Sequence, residues 1–288
     1  MPAATIRPLS VIPSGQEIRA AVLTARQNGE TVGFVPTMGA LHEGHLSLVD
    51  AANAECDRVV ASIFVNPTQF GPNEDFAKYP RPLDRDLDLL RDRGCDWVFV
   101  PHAAEMYPAG FDTSIDVGAV AEPLEGAARP GHFRGVATVV HKLFQLVPAD
   151  RAYFGRKDYQ QTLVVRRMAA DLNMPIEVRV CPIVRDVDGL ALSSRNAYLS
   201  TEERRRALSL SGALRLAESA YAAGERSAET LRKQMLAHIS AVGGVEVEYV
   251  AIVHDGTVEE IAIVDGPATI AIAARVGATR LIDNLQIG

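Results

Sequence analysis

The sequence predicts an α/β chain in which a doubly wound parallel-sheet domain, residues 1–183, precedes a smaller α+β domain, residues 184–288. Three observations lead there. Short apolar runs alternate with helix-periodic stretches from Thr31 to Ile183, the pattern of repeated β–α units. The run from Arg58 to Val65 is nearly continuously apolar rather than alternating, as strands covered on both faces are. From Val184 the order changes to a polar loop, two helices and a series of strands, and 288 residues suit two domains at about 150 residues each.

The elements follow in order. Ser14 and Glu17 have capping-box spacing, and Ile18, Ala21, Val22 and Ala25 carry a helix that stops at Asn28-Gly29. Thr31 to Pro36 is a strand, Leu41 to Glu55 a helix, and Arg58 to Val65 the next strand. Asp84 to Arg93 is a charged helix stopped by Gly94, and Trp97 to Val100 a strand. The Gly/Pro-rich stretch from Glu122 to Gly135 is read as loop. Then come a helix from Val136 to Leu146, a strand at Ala152 to Phe154, a helix from Tyr159 to Leu172 and a strand from Ile176 to Ile183. In the second domain Ser200 and Glu203 open a helix, a second runs from Glu229 to Ile239, and strands are predicted at Val245 to Val253, Val258 to Val264 and Ala268 to Val276.

Composition narrows the function. With 48% hydrophobic and 23% charged residues, the chain can bury a core and is not disordered. Its net charge of −7 gives no general attraction for nucleic acid or an anionic membrane, and no apolar run is long enough for a membrane helix. The first residues, Met1 to Pro8, lack a basic segment followed by an apolar one, so a cytoplasmic location is expected. Cys56, Cys95 and Cys181 are too few and too scattered for a disulfide framework or a cysteine-based zinc site, and are read as small buried hydrophobes.

In an open parallel sheet, ligands bind beyond the carboxyl ends of the strands. After the first predicted strand stand Pro36, Thr37, Met38, Gly39, Ala40, Leu41, His42, Glu43, Gly44 and His45. Gly39 and Gly44 have P-loop spacing, but His45 stands where that motif needs Lys, and no GxGxxG occurs. What remains is a pair of imidazoles in the first turns of a helix, whose free N–H groups and dipole favour an anion. A zinc pair and plain packing or capping are the competing readings of His42 and His45. After the second strand Asn66 and Gln69 offer neutral donors and acceptors, and Asn-Pro is also a turn signal. Gly155, Arg156, Lys157 and Asp158 form a turn that opens a helix, with Lys157 suited to phosphate charge and Asp158 to the cap. The loop from Arg185 to Asn196 carries Ser193, Ser194 and Arg195 and can close over a polyphosphate.

Taken together, these stretches resemble the pantoate–beta-alanine ligase family, with Tyr79-Pro80-Arg81 and Leu192 to Asn196 among the matches, over essentially the whole chain and in the same order. The resemblance implies a Rossmann-like first domain and a homodimer. It also implies that ATP and pantoate form pantoyl adenylate and pyrophosphate, after which beta-alanine displaces AMP. His42, His45, Lys157, Ser193, Ser194 and Arg195 would be catalytic. Pro36, Thr37, Met38, Gly39, Gly44, Gly155, Asp158, Val184 and Leu192 would join them around ATP. Gln69, Gln161, Asn66 and Met38 would hold pantoate or beta-alanine, and Asp86 would approach Mg²⁺.

Overall fold

A computed structural model describes residues 8–72 and 74–288; the expectation drawn from the leading residues Met1 to Arg7 lies outside them. Six strands form one parallel sheet in the order β1-β4-β3-β2-β5-β6: β1 (Ser10–Ile12), β2 (Val32–Thr37), β3 (Arg58–Ile63), β4 (Trp97–Phe99), β5 (Arg151–Gly155) and β6 (Glu177–Cys181). The sheet is flanked by α1 (Gly15–Gln27), α2 (Glu43–Glu55), α3 (Leu83–Asp92), the single turns α4 (Ala103–Met106) and α5 (Glu125–Ala128), α6 (His132–Leu146) and α7 (Tyr159–Asp171). This is the doubly wound, Rossmann-like arrangement expected. Strand order reverses between β2 and β5, which opens a crevice at their carboxyl ends.

Alternate side chains of each strand enter opposite cores. Phe34 and Val60 pack with Val22, Phe144 and Val164 on one face, while Val35, Val59 and Ala61 pack with Leu46, Val49 and Leu90 on the other. Full burial of a side chain such as Phe34 contributes roughly 2 to 3 kcal/mol. That two-sided burial is why the strands read as apolar runs.

Beyond Val184 a second core forms around α8 (Thr201–Ala222), α9 (Ala228–Val242) and an antiparallel sheet, β7 (Val245–His254), β8 (Ala268–Val276) and β9 (Thr279–Ile287). The Ser200 capping box is complete, with Glu203 N–H donating to Ser200 Oγ at 3.2 Å and Ser200 N–H to Glu203 Oε2 at 2.9 Å. Ion pairs join the two halves. Arg280 makes a two-pronged contact with Glu125 at 2.6 and 2.7 Å, and Arg156 reaches Asp255 at 2.6 Å and Thr269 Oγ1 at 2.8 Å.

The fold departs from the sequence reading at several points. The strand predicted at Val258 to Val264 does not form, because that segment bonds alternately to β7, through Ile261 N–H to Ile252 O, and to the start of α9, through Ala228 N–H to Ala262 O. The third strand is instead β9, and the short edge strand β1 was also unforeseen. Helix α6 starts at His132, inside the stretch read as loop, where Gly131 takes a left-handed φ of 82°. Of the three free cysteines, Cys95 is buried and Cys56 and Cys181 are partly exposed.

Candidate active site

The turn after β2 is built to present backbone and imidazole to the crevice. Thr37 Oγ1 donates to Ser62 O at 2.7 Å and accepts from Gly39 N–H at 3.1 Å. Gly39 (φ 79°) and Ala40 (φ 50°) are both left-handed, and a Cβ on Gly39 would stand 3.0 Å from Asp86 Oδ2, so glycine is required there. Asp86, 1% exposed, holds this strained corner by accepting from Ala40 N–H at 2.7 Å and Leu41 N–H at 2.8 Å.

His42 then caps α2. Its Nδ1 accepts from Gly44 N–H at 3.1 Å, so Nδ1 is unprotonated and the proton of the neutral ring sits on Nε2, available to a ligand. The rings of His42 and His45 lie 4.1 Å apart, and His45 Nδ1 has no hydrogen-bond partner among the described residues. Burial, reinforced by Lys157 and opposed by Asp158 and Glu43, pushes the His42 pKa down to about 4. Burial, with His42 and Lys157, pushes that of His45 down to about 3. Both rings are neutral at physiological pH and serve as hydrogen-bonding groups, with Lys157 supplying the charge.

Lys157 comes from the neighbouring strand end, on the turn after β5, its Nζ 3.7 Å from Asp158 Oδ1. Asp158 occupies the N-cap position of α7 but makes no side-chain cap bond, contrary to the sequence reading. The loop from Arg185 is docked against these elements. Ser194 Oγ donates to Ala40 O at 3.0 Å, and Arg195 Nε and Nη2 hold both oxygens of Asp75 at 2.9 and 2.8 Å.

One cavity of about 210 Å³ gathers these groups. His42, His45, Lys157, Ser193, Ser194 and Arg195 all line it, as does every residue expected around ATP except Gly39. Met38, Gln69 and Gln161 also line it, together with the apolar side chains of Phe64, Val136, Val139, Val140 and Leu143. A larger cavity of about 680 Å³ adjoins it and shares Arg129, His132, Lys157, Asp158, Gln161, Ser193 and Arg195 with it.

The model of the pantoate–beta-alanine ligase family matches residues 10–286. The chain belongs to this family. The pantothenate synthetase of Acidobacterium capsulatum is 58% identical over 283 residues, covering 94% of this chain and 95% of the relative. That of Thermotoga petrophila is 51% identical over 280 residues, covering 97% and 100%. The crystal structure of pantothenate synthetase from Thermus thermophilus superposes with a TM-score of 0.91 at 49% identity, over 96% of this chain and 98% of that one. The pantoate–beta-alanine ligase of Francisella tularensis, complexed with beta-gamma ATP and beta-alanine, gives 0.80 at 33% identity, over 96% and 97%. The chain is therefore an enzyme, an ATP-dependent ligase that condenses pantoate with beta-alanine, the reaction of its family.

Asn66 lines this cavity, whereas Asp86 does not, and both are held by bonds within the protein. Asn66 is 1% exposed and fully engaged, since Nδ2 donates to Gln69 Oε1 and Gly135 O, each at 3.1 Å, and Oδ1 accepts from Tyr107 OH at 2.7 Å and Thr68 Oγ1 at 2.9 Å. It orients Gln69, whose Nε2 is turned to Met38 Sδ at 3.1 Å. Gly135 permits this contact, because a Cβ there would stand 2.3 Å from Thr68 O. Both oxygens of Asp86 are occupied by backbone N–H groups, and among the described residues no group of three or more His, Cys, Asp or Glu side chains converges as metal ligands. The residues present do not fit a metal held by the protein alone.

Sequence reasoning missed Arg129, His132 and the apolar wall. Arg129 pairs with both oxygens of Glu74 and touches His132 Nε2 at 2.9 Å, while His132 Nδ1–H donates to Gln69 O at 2.8 Å. Burial and then Arg129 push the His132 pKa down to about 4. The available signal was Arg129-Pro130-Gly131-His132, a helix start inside the stretch read as loop.

Proposed function

We propose that both steps of the condensation run in the 210 Å³ cavity, beside the residues it shares with the larger one. The observation that carries this is the lining, which combines a helix start bearing two neutral imidazoles and a lysine with two amides and a set of valines and a leucine. The first set suits a triphosphate. The second suits a small hydroxy acid with geminal methyl groups, its hydroxyls and carboxylate meeting Gln69 and Gln161, and its methyls Val139, Val140 and Leu143. Among the described residues the Gln161 side chain makes no hydrogen bond within the protein, and it lines the cavity, which suits it to that role.

In the first step a pantoate carboxylate oxygen bonds to the α-phosphorus of ATP, and the bond from that phosphorus to the bridging oxygen breaks, releasing pyrophosphate. His42 Nε2–H, the amides at the start of α2, Lys157 and Arg195 meet the growing phosphate charge. In the second step the beta-alanine amine attacks the acyl carbon, the bond to AMP breaks, and the amine loses a proton. No protein nucleophile is needed. Adenosine would lie along Met38, Gly155, Val184 and Leu192, with Ser193 and Ser194 at its phosphates. The Francisella relative, complexed with beta-gamma ATP and beta-alanine, supports the same occupants here. Mg²⁺ enters as the counter-ion of ATP, part of the substrate.

The same proposal includes a homodimer, supported by the family resemblance and checked by light scattering. It includes a cytoplasmic location, where ATP is abundant, and the division at residues 183/184, supported by the two separate cores. The test of function is incubation with ATP, Mg²⁺ and pantoate, with and without beta-alanine, read by mass spectrometry. Pantoyl adenylate in the first tube and pantothenate in the second are expected; AMP release without either product would sink the proposal.

A further inference from the structure

Strand β9 reaches the phosphate end of the site with two consecutive side chains. Asn284 is 2% exposed, and its Nδ2 donates to the carbonyls of both Arg156 and Lys157, each at 2.9 Å. An amide nitrogen carries two protons, so both are committed to the turn that bears Lys157. Its Oδ1 is buried with no hydrogen-bond partner among the described residues, so the two carbonyls are the groups that orient the amide there. Beside it, both oxygens of Asp283 hold the Arg185 guanidinium at 2.6 and 2.9 Å. Arg185 also donates to Gly189 O at 3.2 Å and pairs with Ala191 across the hairpin that leads directly into Leu192 to Arg195. Of these two adjacent residues of the small sheet, Asn284 grips the backbone of the turn that bears Lys157, and Asp283 holds the Arg185 side chain at the base of the loop.

The turn needs this grip. Arg156–Asp158 is a single 3-10 turn with no side-chain cap from Gly155 or Asp158, and the Arg156 side chain is drawn away to Asp255 and Thr269. A lysine on such a turn is only as well placed as its backbone.

We infer that Asn284 is a positioning residue for adenylate formation: through the carbonyls of Arg156 and Lys157 it sets the Lys157 ammonium against the phosphates, so the small domain governs the charge that drives the first step. The inference rests on the reading of Lys157 as the phosphate-binding cation. A mere interface contact would affect folding and both half-reactions alike.

A double-mutant cycle separates the two. Lys157→Ala, Asn284→Ala and the pair are compared in single turnovers of adenylate formation from ATP and pantoate, and of transfer from supplied pantoyl adenylate to beta-alanine. Asn284→Ala is expected to slow adenylate formation by about ten- to a hundredfold, the size of a small misplacement of a reacting group. It should leave transfer within about threefold, and add less than about threefold once Lys157 is gone, since coupled residues are not additive. Full multiplicative slowing in the pair, equal slowing of both half-reactions, or an unchanged adenylation rate would overturn the inference. Asn284→Asp, of equal size but unable to donate, serves the same cycle should the alanine variant unfold; failure of both to fold would assign Asn284 a structural role instead. If Lys157→Ala alone leaves adenylation unchanged, the underlying reading of Lys157 fails, and that single variant reveals it.

Discussion

The hydroxyl of Ser194 donates to the carbonyl of Ala40, bridging 154 residues of sequence. The bond ties the loop between the domains to the strained turn ahead of His42. Ala40 is also held through its N–H by Asp86, so loop, turn and α3 form one connected unit beside the site.

That unit depends on Asp75, which fixes Arg195 through both carboxylate oxygens. Asp75→Asn removes a charge-assisted two-pronged contact of the kind that contributes roughly 1.5 to 3 kcal/mol. We expect faster hydrogen exchange across residues 185–196 and an apparent KM for ATP raised about tenfold or more. Unchanged exchange and KM would place the hold on the loop elsewhere.

Gln161→Ala should weaken the use of pantoate far more than the binding of ATP. Loss of a buried hydrogen bond of this type costs roughly 1 to 3 kcal/mol. Steady-state kinetics with each substrate varied is the check, and a pantoate KM equal to that of the parent enzyme rejects the assignment.

His42→Ala, His45→Ala and Lys157→Ala should each slow adenylate formation by on the order of 10²- to 10³-fold, by analogy with lost oxyanion donors. Transfer to beta-alanine, in which less phosphate charge develops, should suffer much less. Since His42 also caps α2, its variant should lose about 1 kcal/mol of stability in addition. Equal slowing of both half-reactions, with melting temperatures lowered in parallel, would favour a structural role.

Acid should destabilise the enzyme in a defined window. His42, His45 and His132 have folded pKa values of about 4, 3 and 4, below the ordinary 6.5. Between pH 6.5 and 4 the unfolded chain therefore binds protons that the folded chain refuses, so stability falls as pH falls through that window. The loss should be on the order of 2 kcal/mol by about pH 5, because the rings bordering the cavity are partly relieved by solvent. Thermal unfolding at constant ionic strength measures it, and His132→Gln should flatten the slope. A melting temperature constant from about pH 7 to 5 contradicts it.

Much of this was legible in the sequence because the signals were local. The apolar runs Val32 to Val35 and Val59 to Ala61 record burial on two faces, and the cluster from Pro36 to His45 lies within a single turn and helix start. The illegible parts depend on partners distant in sequence. In β9 Arg280, Asp283 and Asn284 interrupt the apolar pattern, and their partners are Glu125, Arg185 and the turn at Lys157. Val258 to Val264 looks apolar enough for a strand, yet its N–H and C=O groups are divided between two neighbours. Asn66 and Asp86 have side chains that suit ligands, and only the three-dimensional contacts reveal that backbone and neighbouring side chains already occupy them.

The wall shared by the two cavities bears on inhibitor chemistry. A molecule that filled the 210 Å³ cavity and continued past Arg129 and His132 into the 680 Å³ space would join two ligands through one short tether. The second fragment would then bind at an effective concentration in the millimolar range, which can multiply affinity by about 10² to 10⁴ without any new contact. Fragments found separately in each space are therefore candidates for covalent linkage, and Lys157 and Gln161 border both.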